Sequence, residues 1–285
     1  MKEMKKMLIT LVALGSMGLV FAAGGKDKAT AESTLKGSYT FGGSTTVQPI
    51  ANGIIEALMA ANPELKISYE GLGSSTGLKQ LASGTISLAG SSRDLKSSEL
   101  EQNLVPVVIA KDGIAVVVNK SVNIANLSKE QLAAIYAGEI TNWKEIGGND
   151  LGINVINRDE SSGTYGSFKE IVLDPVSKAY TKNAIVAKEN GEVAAKVAAT
   201  PGAIGYVGLG FVGEVTQAGG KALSVDGIKA STETVLDGTY PVSRSLYVAS
   251  KGAMVEGSIE AAFVSYALSP RGTVIVKDAG FVPVQ

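Results

Sequence analysis

Residues 151–173 read LGINVINRDESSGTYGSFKEIVL, which combines an apolar strand, a polar turn and a helix. The run 151–156 predicts the strand, and the run 165–173 predicts the helix. The turn between them carries Arg158, whose planar fork of donors fits a tetrahedral oxyanion. Free backbone amides at a helix start also favour an anion. This strand–turn–helix unit therefore predicts an α/β fold with an oxyanion site at the turn.

Other turns in the chain have the same character. Gly43–Thr46 and Gly71–Gly77 each place glycines and hydroxyl residues between a predicted strand and helix. Taken alone, the first is better explained as an ordinary helix cap, and the second fits a turn or a site equally. Neither ends in the Lys-Thr/Ser of a nucleotide P-loop, which argues against ATP. Three such turns in one chain indicate a common site.

Two arginines are candidate ligand cations, and each has an alternative role. Arg93 follows Ser91-Ser92 and could contact a ligand, or could equally pair with Asp94 or a neighbour on the surface. The alternative for Arg158 is a solvent-exposed pair beside an ordinary helix cap. The ligand role is favoured for Arg158, because the cation, an acid and the cap coincide directly after a strand.

The composition excludes several classes of function. The chain has 285 residues, enough for two domains, with 45% hydrophobic and 19% charged residues, which is typical of a globular protein. The formal net charge of -1 gives no reason to expect a nucleic-acid partner. There is no His and no Cys, which excludes Ser-His-Asp catalysis, thiol nucleophiles, His or thiolate metal sites and disulfides. We expect no cofactor and no metal.

The N-terminus has the pattern of a targeting segment. Lys2, Lys5 and Lys6 precede an uncharged run from residue 7 to residue 25. We predict a signal peptide at 1–23 and a flexible polar leader at 24–36, and the alternative is a membrane anchor. The mature protein is expected in the periplasm or at the cell surface.

Apolar strands alternate with helical patterns along the rest of the chain. Residues 105–110 and 114–118 predict strands with a crossing point between them at Lys111-Asp112-Gly113, and 240–249 predicts a return crossing. Residues 46–61 predict a helix, and so do residues 259–268, which Ser269-Pro270 should end. The candidate ligand residues fall in two regions, about 43–93 and 157–164. A ligand that contacts both regions would lie in a cleft between two α/β units.

Several of these motifs together resemble one protein family. The residues are Thr45-Thr46, the turn Gly71–Ser75, the following Gly77-Leu78-Lys79-Gln80, and the motif Arg158–Thr164. They resemble the phosphate-binding subunits of bacterial phosphate ABC importers, from about residue 37 to the end. The resemblance implies a two-lobed periplasmic-binding-protein fold in which each lobe is a mixed sheet flanked by helices. Two crossover strands would join lobe 1 (37–112 and 245–285) to lobe 2 (113–244).

The resemblance also implies a function without chemistry. A monomer would close on one dehydrated inorganic phosphate in the cleft and deliver it to the membrane permease of an ABC importer. Arg158 would bind phosphate with two donors and be oriented by Glu160. The other implied ligand residues would supply hydroxyl groups and amides, with Ser75 supporting them: Thr45, Thr46, Ser74, Ser162, Gly163 and Thr164.

This chain departs from the family pattern at two points. An Asp that accepts the proton of phosphate in the family is replaced by Ser92, followed by Arg93. We predict that Ser92 or a backbone carbonyl accepts that proton, and that Arg93 adds charge. The Cys that carries a lipid in many relatives is also missing, so we expect a soluble protein or one held by an uncleaved signal.

Three alternatives stay open at the level of the sequence. The same fold could bind sulfate, molybdate or tungstate. A secreted hydrolase with a Ser nucleophile is disfavoured by the lack of His, Cys and metal-ligand clusters. An adhesin or sensor subunit would have the same ligand site as a transport protein.

Overall fold

The computed structural model describes residues 35–284. The predicted signal peptide at 1–23, and all but the last two residues of the leader at 24–36, lie outside these residues. Thirteen strands are present in this part of the chain, in the following order: β1 (Gly37–Gly43), β2 (Leu65–Glu70), β3 (Leu88–Ser91), β4 (Leu104–Asn119), β5 (Asn126–Leu127), β6 (Asn154–Arg158), β7 (Ile185–Ala187), β8 (Ala203–Gly208), β9 (Gly220–Ala222), β10 (Ser224–Val225), β11 (Ile228–Lys229), β12 (Ser243–Lys251) and β13 (Val282–Pro283).

Ten α-helices accompany the strands in the described residues. They are α1 (Gln48–Ala61), α2 (Ser74–Ser83), α3 (Ser97–Leu100), α4 (Lys129–Ala137), α5 (Gly163–Phe168), α6 (Asn190–Ala199), α7 (Val212–Gln217), α8 (Thr232–Leu236), α9 (Ile259–Ala267) and α10 (Pro270–Asp278). The helix predicted at 165–173 begins earlier, as α5, and continues in a π-helical turn over Lys169–Leu173. Its N-terminus therefore lies at the polar turn.

The strands form one mixed sheet in the order β2-β1-β3-β12-β4-β8-β6-β7, and β9 and β13 also pair with β4. The strands β1, β2 and β3 are parallel, as are β6, β7 and β8. The strand β12 is antiparallel to β3 and β4, and β4 is antiparallel to β8. Two parallel α/β units are thus joined through a pair of antiparallel strands.

The crossing at Lys111-Asp112-Gly113 does not interrupt β4, which is one strand of 16 residues. The prediction of two separate strands was wrong at this point. The strand β12 pairs with β4 from Ser243↔Gly113 to Lys251↔Leu104, and this paired range includes the tripeptide at which the sequence suggested a break. Continuous ladder hydrogen bonds keep a charged tripeptide extended, although its local propensity favours a turn.

Separate hydrophobic cores lie on the two sides of this crossing. One core contains Phe41, whose ring meets Phe263 edge-to-face at 5.5 Å, together with buried residues of α1, α9 and α10. The other contains Phe168, stacked on Tyr206 at 4.2 Å, with buried residues of β4, β8 and α6. We call the regions around these cores lobe 1 and lobe 2. Their residue boundaries stay a prediction, and Val282 near the C-terminus packs into the core of lobe 2.

None of the helices described between residues 35 and 284 is long and apolar enough to cross a membrane.

Candidate functional site

Arg158 is the buried cation at the centre of the site. It is the last residue of β6, and the residue is 2% exposed. Its Nη2 donates to Thr45 Oγ1 at 3.1 Å and to the Lys188 carbonyl oxygen at 2.8 Å, and its Nη1 donates to Asn190 Oδ1 at 3.2 Å. Burial lowers the pKa of Arg158 to about 10, because desolvation penalises the charged form.

One nitrogen of this guanidinium has no partner. The buried Nε of Arg158 has no hydrogen-bond partner among residues 35–284. A buried cationic N–H without a partner is costly, so the site favours an anion that supplies an acceptor. None of the direct partners of the guanidinium is a carboxylate, so its charge is not neutralised by direct contact.

Two threonines of lobe 1 meet lobe 2 beside Arg158. Thr46 Oγ1 lies 3.2 Å from Thr164 Oγ1 at the start of α5. Asn190 Nδ2 donates to Thr45 Oγ1 at 3.3 Å and to Thr46 Oγ1 at 3.2 Å. Since Thr45 Oγ1 already accepts from Asn190 and Arg158, both of its lone pairs are used and its hydroxyl hydrogen can only be donated. These contacts bring hydrogen-bond donors from both lobes together beside the guanidinium of Arg158.

Two serines and a glycine form the other side of the site. Ser74 Oγ and Ser92 Oγ are 3.4 Å apart, and Ser92 N donates to Ser74 Oγ at 3.1 Å. A Cβ on Gly163 would lie 2.3 Å from Ser74 Oγ and 2.6 Å from Ser92 Oγ, so only a glycine fits between these hydroxyls. The predicted candidates Ser74, Ser92 and Gly163 are therefore in direct contact.

Two hydroxyls at these turns serve the backbone. Ser162 caps α5, because its Oγ accepts from Thr164 N at 3.1 Å and from Tyr165 N at 3.4 Å. Ser44, which the sequence analysis did not single out, does the same for Thr46 N at 3.1 Å and Val47 N at 3.3 Å. The resemblance implied that the Thr46 amide and the Ser162 hydroxyl bind the ligand, and here both are engaged in these caps.

Arg93 pairs with a neighbouring residue, which was its alternative predicted role, and Glu160 does not orient Arg158. Arg93 forms a two-pronged pair with Glu99 at 2.7 and 2.9 Å, and its Nη2 also donates to Ser75 Oγ at 3.1 Å. Glu160 is exposed and makes no ion pair with Arg158, whose orientation comes from Asn190, Thr45 and Lys188. The carboxylate of Glu99 holds Arg93. Neutral groups contact Arg158 in place of the acid that was expected there.

The structure adds three residues that the sequence analysis missed. Asn190, at the start of α6, is fully buried and joins Arg158 to both threonines. Asp112 on β4 and Arg244 on β12 form a buried ion pair at 2.6 Å, and Arg244 Nη1 donates to the Ser92 carbonyl oxygen at 2.9 Å. Burial raises the pKa of the Asp112 carboxyl and lowers the pKa of the Arg244 guanidinium, because desolvation penalises both charges.

Weak signals for these residues exist in the sequence. Arg occurs at only four positions, and Arg244 lies inside a predicted crossing strand. Asp112 is an isolated acid between two apolar runs. A charged residue in an otherwise buried strand indicates a partner, although the sequence does not say which one.

The arrangement supplies donors for an oxyanion. Hydroxyls, an amide side chain and two guanidinium groups converge, with no imidazole or thiol in the chain. No group of three or more acidic residues that could hold a metal occurs in residues 35–284. Preorganised donors of this kind bind a tetrahedral anion through many hydrogen bonds.

Comparison with known proteins defines first the class and then the family. The model of the PBP superfamily domain matches residues 28–271, which agrees with two α/β lobes joined by crossing strands. The phosphate-binding protein PstS of Borreliella burgdorferi is 35% identical over 99% of this chain and 100% of its own length. PstS of Bacillus subtilis is 32% identical over 98% of this chain and 95% of its own length.

A solved structure gives the same result. A Clostridium perfringens protein with bound phosphate, assigned as a phosphate ABC transporter substrate-binding protein, superposes with a TM-score of 0.80 at 34% identity. The match covers 87% of this chain and 100% of that one. The chain belongs to the PstS family of substrate-binding proteins of phosphate ABC transporters.

Proposed function

We propose that this chain binds inorganic phosphate outside the cytoplasmic membrane and delivers it to an ABC-type permease. The observation that carries the proposal is the buried, unneutralised guanidinium of Arg158, whose Nε has no partner among residues 35–284 and which donors from both lobes surround. Relatives of near-full length are named phosphate-binding proteins, and a similar structure contains phosphate. Binding energy goes into closing the lobes on the anion, which shifts a population between open and closed states.

The geometry of the described residues supports the following ligand contacts as part of the proposal. Arg158 donates from its guanidinium, Thr45 donates its hydroxyl hydrogen, and the pair Thr46 and Thr164 donates the one hydroxyl hydrogen that their mutual bond leaves free. Ser74 and Ser92 contribute hydroxyls on the side of Gly163, whose lack of a side chain lets both hydroxyls lie against its backbone. Arg93 donates to Ser75, Ser162 caps α5 and Glu160 is exposed, so we assign none of these four residues a contact with phosphate.

A binding role without catalysis fits the same residues. The relatives are named as binding proteins, and the chain has neither His nor Cys to activate a nucleophile. We further propose that the protein is exported by its N-terminal segment, acts as a monomer and has no nucleic-acid partner. A turnover assay with a chromogenic phosphate ester should therefore give no activity above background.

The decisive experiment is calorimetric titration of the anion-stripped protein with sodium phosphate, comparing wild type with Arg158→Ala. We expect one-to-one binding by wild type and at least a thousandfold weaker binding by the variant, because a charge-assisted site loses the buried cation at its centre. Arg271→Ala, at an exposed position on α10, is the matched control and should bind as wild type does. Tight phosphate binding by a folded Arg158→Ala protein would contradict the proposal.

A further inference from the structure

A buried ion pair joins the two crossing strands next to the proposed phosphate site. The side chains of Arg244 and Asp112 are 4% and 0% exposed. Arg244 Nε and Nη2 both donate to Asp112 Oδ2, at 2.9 and 2.6 Å, and Leu209 N donates to Asp112 Oδ1 at 2.9 Å. With three donors on its carboxylate, Asp112 holds the guanidinium of Arg244 in one orientation.

Two guanidinium nitrogens of Arg244 also contact residues of the proposed phosphate site. Its Nη1 donates to the Ser92 carbonyl oxygen at 2.9 Å, and its Nη2 lies 3.5 Å from Thr46 Oγ1. The same carbonyl oxygen also accepts from Ser167 Oγ at 3.0 Å. A carbonyl oxygen has two lone pairs, so the carbonyl of Ser92 has no capacity left for a proton on the ligand. The Ser92 hydroxyl, beside Ser74 and Gly163, is the acceptor that this residue still offers.

We propose that Arg244, held by Asp112, is a specificity-determining residue: it occupies the Ser92 carbonyl and directs the protonated oxygen of the ligand to the Ser92 hydroxyl. The inference rests on the proposed function. It goes further by naming the group that recognises the ligand's proton and the pair that selects this group. The sequence left two candidates for the group that accepts the ligand's proton, Ser92 or a backbone carbonyl. The inference selects the Ser92 hydroxyl.

A hydroxyl and a carbonyl discriminate differently between phosphate and sulfate. A hydroxyl has one hydrogen: it accepts from the proton of hydrogen phosphate while its own hydrogen is donated to Ser74 Oγ, 3.4 Å away, and it donates to the bare oxygen of sulfate only by giving up that bond. A carbonyl oxygen can only accept a hydrogen bond, so its contact with an unprotonated oxygen of sulfate is unfavourable. We therefore expect wild type to prefer phosphate over sulfate by about tenfold, the size of one neutral hydrogen bond. A site with a committed partner for a hydroxyl group reaches roughly 10⁴- to 10⁵-fold.

The test is the ratio of the sulfate Kd to the phosphate Kd, measured by calorimetric titration of the anion-stripped protein at one pH near neutrality. Arg244→Lys keeps a cation opposite Asp112 but lacks the planar fork that reaches the Ser92 carbonyl at the same time. The released carbonyl should then repel sulfate, and the ratio should rise at least tenfold. If Arg244 had only a structural role, both constants would change by the same factor and the ratio would stay at its wild-type value, which would overturn the inference.

A second variant tests the hydroxyl without disturbing the ion pair. Ser92→Ala removes the proposed acceptor, so the ratio should fall towards one, and an unchanged ratio contradicts the inference. Arg271→Lys is the matched control for the Arg-to-Lys change at an exposed position, and it should keep the wild-type ratio. If wild type binds phosphate but shows no sulfate binding at millimolar concentration, the inference fails and the proposed function stands. If wild type binds neither anion, the proposed function itself fails.

Discussion

Arg158 is a buried cation whose direct hydrogen-bond partners are neutral dipoles. Asn190 Oδ1, Thr45 Oγ1 and the Lys188 carbonyl accept from the guanidinium, and no carboxylate of residues 35–284 lies within ion-pair distance of it. A direct acid partner would cancel much of the charge before a ligand arrived. Neutral partners orient the guanidinium and leave its charge available, which suits a site for an anion with more than one negative charge.

Asn190 gives a prediction at this scale. Asn190→Asp keeps the size of the side chain and the acceptor for Gly208 N, but it replaces the Nδ2 donor to Thr45 and Thr46 with a carboxylate oxygen. The new charge would pair with Arg158 and repel phosphate. We expect the phosphate Kd measured by calorimetry to rise at least a hundredfold.

The control for Asn190→Asp is Asn154→Asp, which adds the same charge at an exposed position on β6. It should change the phosphate Kd less than twofold, because exposed charges at a distance are screened. Equal binding by Asn190→Asp and wild type would show that Asn190 does not orient the site.

The sequence predicted the residues that act through local patterns and missed those that meet only in the folded chain. Thr45, Thr46, Ser74 and Arg158 lie in hydroxyl–glycine turns or directly after strands, where spacing indicates a role. Asp112 and Arg244 are 132 positions apart, and only the pairing of β4 with β12 brings them together. Asn190 was missed because its partners Thr45 and Thr46 lie 145 and 144 positions away in the sequence.

At the scale of elements, the start of α5 is where one lobe closes against the other. Gly163 is the first residue of this helix, and its backbone does not require positive φ. Gly163→Ala should therefore not strain the helix itself and should favour it by up to about 1 kcal/mol. The added Cβ would instead clash with Ser74 Oγ at 2.3 Å and Ser92 Oγ at 2.6 Å.

We accordingly expect Gly163→Ala to unfold at a temperature equal to or above that of wild type, yet to bind phosphate at least a hundredfold more weakly. Thermal unfolding and calorimetry check the two parts separately. Gly213→Ala is the matched control, since Gly213 lies in α7 without positive φ, and a methyl group added there would meet no described atom within 4 Å. Wild-type affinity in Gly163→Ala would mean that the lobes do not close tightly at this point.

The elements that the sequence misjudged have identifiable physical reasons. Ser269-Pro270 was expected only to end a helix, but Ser269 caps α10 and Pro270 is its first residue. Pro fits the first turn of a helix because its missing N–H has no partner there in any case. The short strands β9, β10 and β11 have two or three residues each, too few for a periodic pattern.

At the scale of the whole molecule, direct hydrogen bonds connect the lobes around the site. Ser75 N in α2 donates to the Ser161 carbonyl at 2.9 Å, and Ser167 Oγ donates to the Ser92 carbonyl at 3.0 Å. We expect these bonds to break when the lobes open. Phosphate should therefore stabilise the closed state and with it the Ser75 amide.

Hydrogen exchange measured by NMR tests this expectation. Saturating phosphate should slow exchange of the Ser75 amide at least tenfold relative to the stripped protein. The Leu132 amide, which donates to the Ser128 carbonyl in the first turn of α4, reports on global unfolding and local helix opening, so its change is the baseline. An equal change at Ser75 and Leu132 would show that the contact between the lobes does not depend on the ligand.

The position of β12 has a consequence for the order of folding. It lies between β3 and β4 in the sheet, although it follows them by more than a hundred residues along the chain. The core of lobe 2 can assemble from residues that are nearly contiguous, whereas the sheet of lobe 1 stays incomplete until residue 251 has been synthesised. Such long-range pairing is slow, because loop closure precedes the contacts that compensate for it. For an exported chain, this delay would keep the N-terminal half unfolded while it is threaded across the membrane.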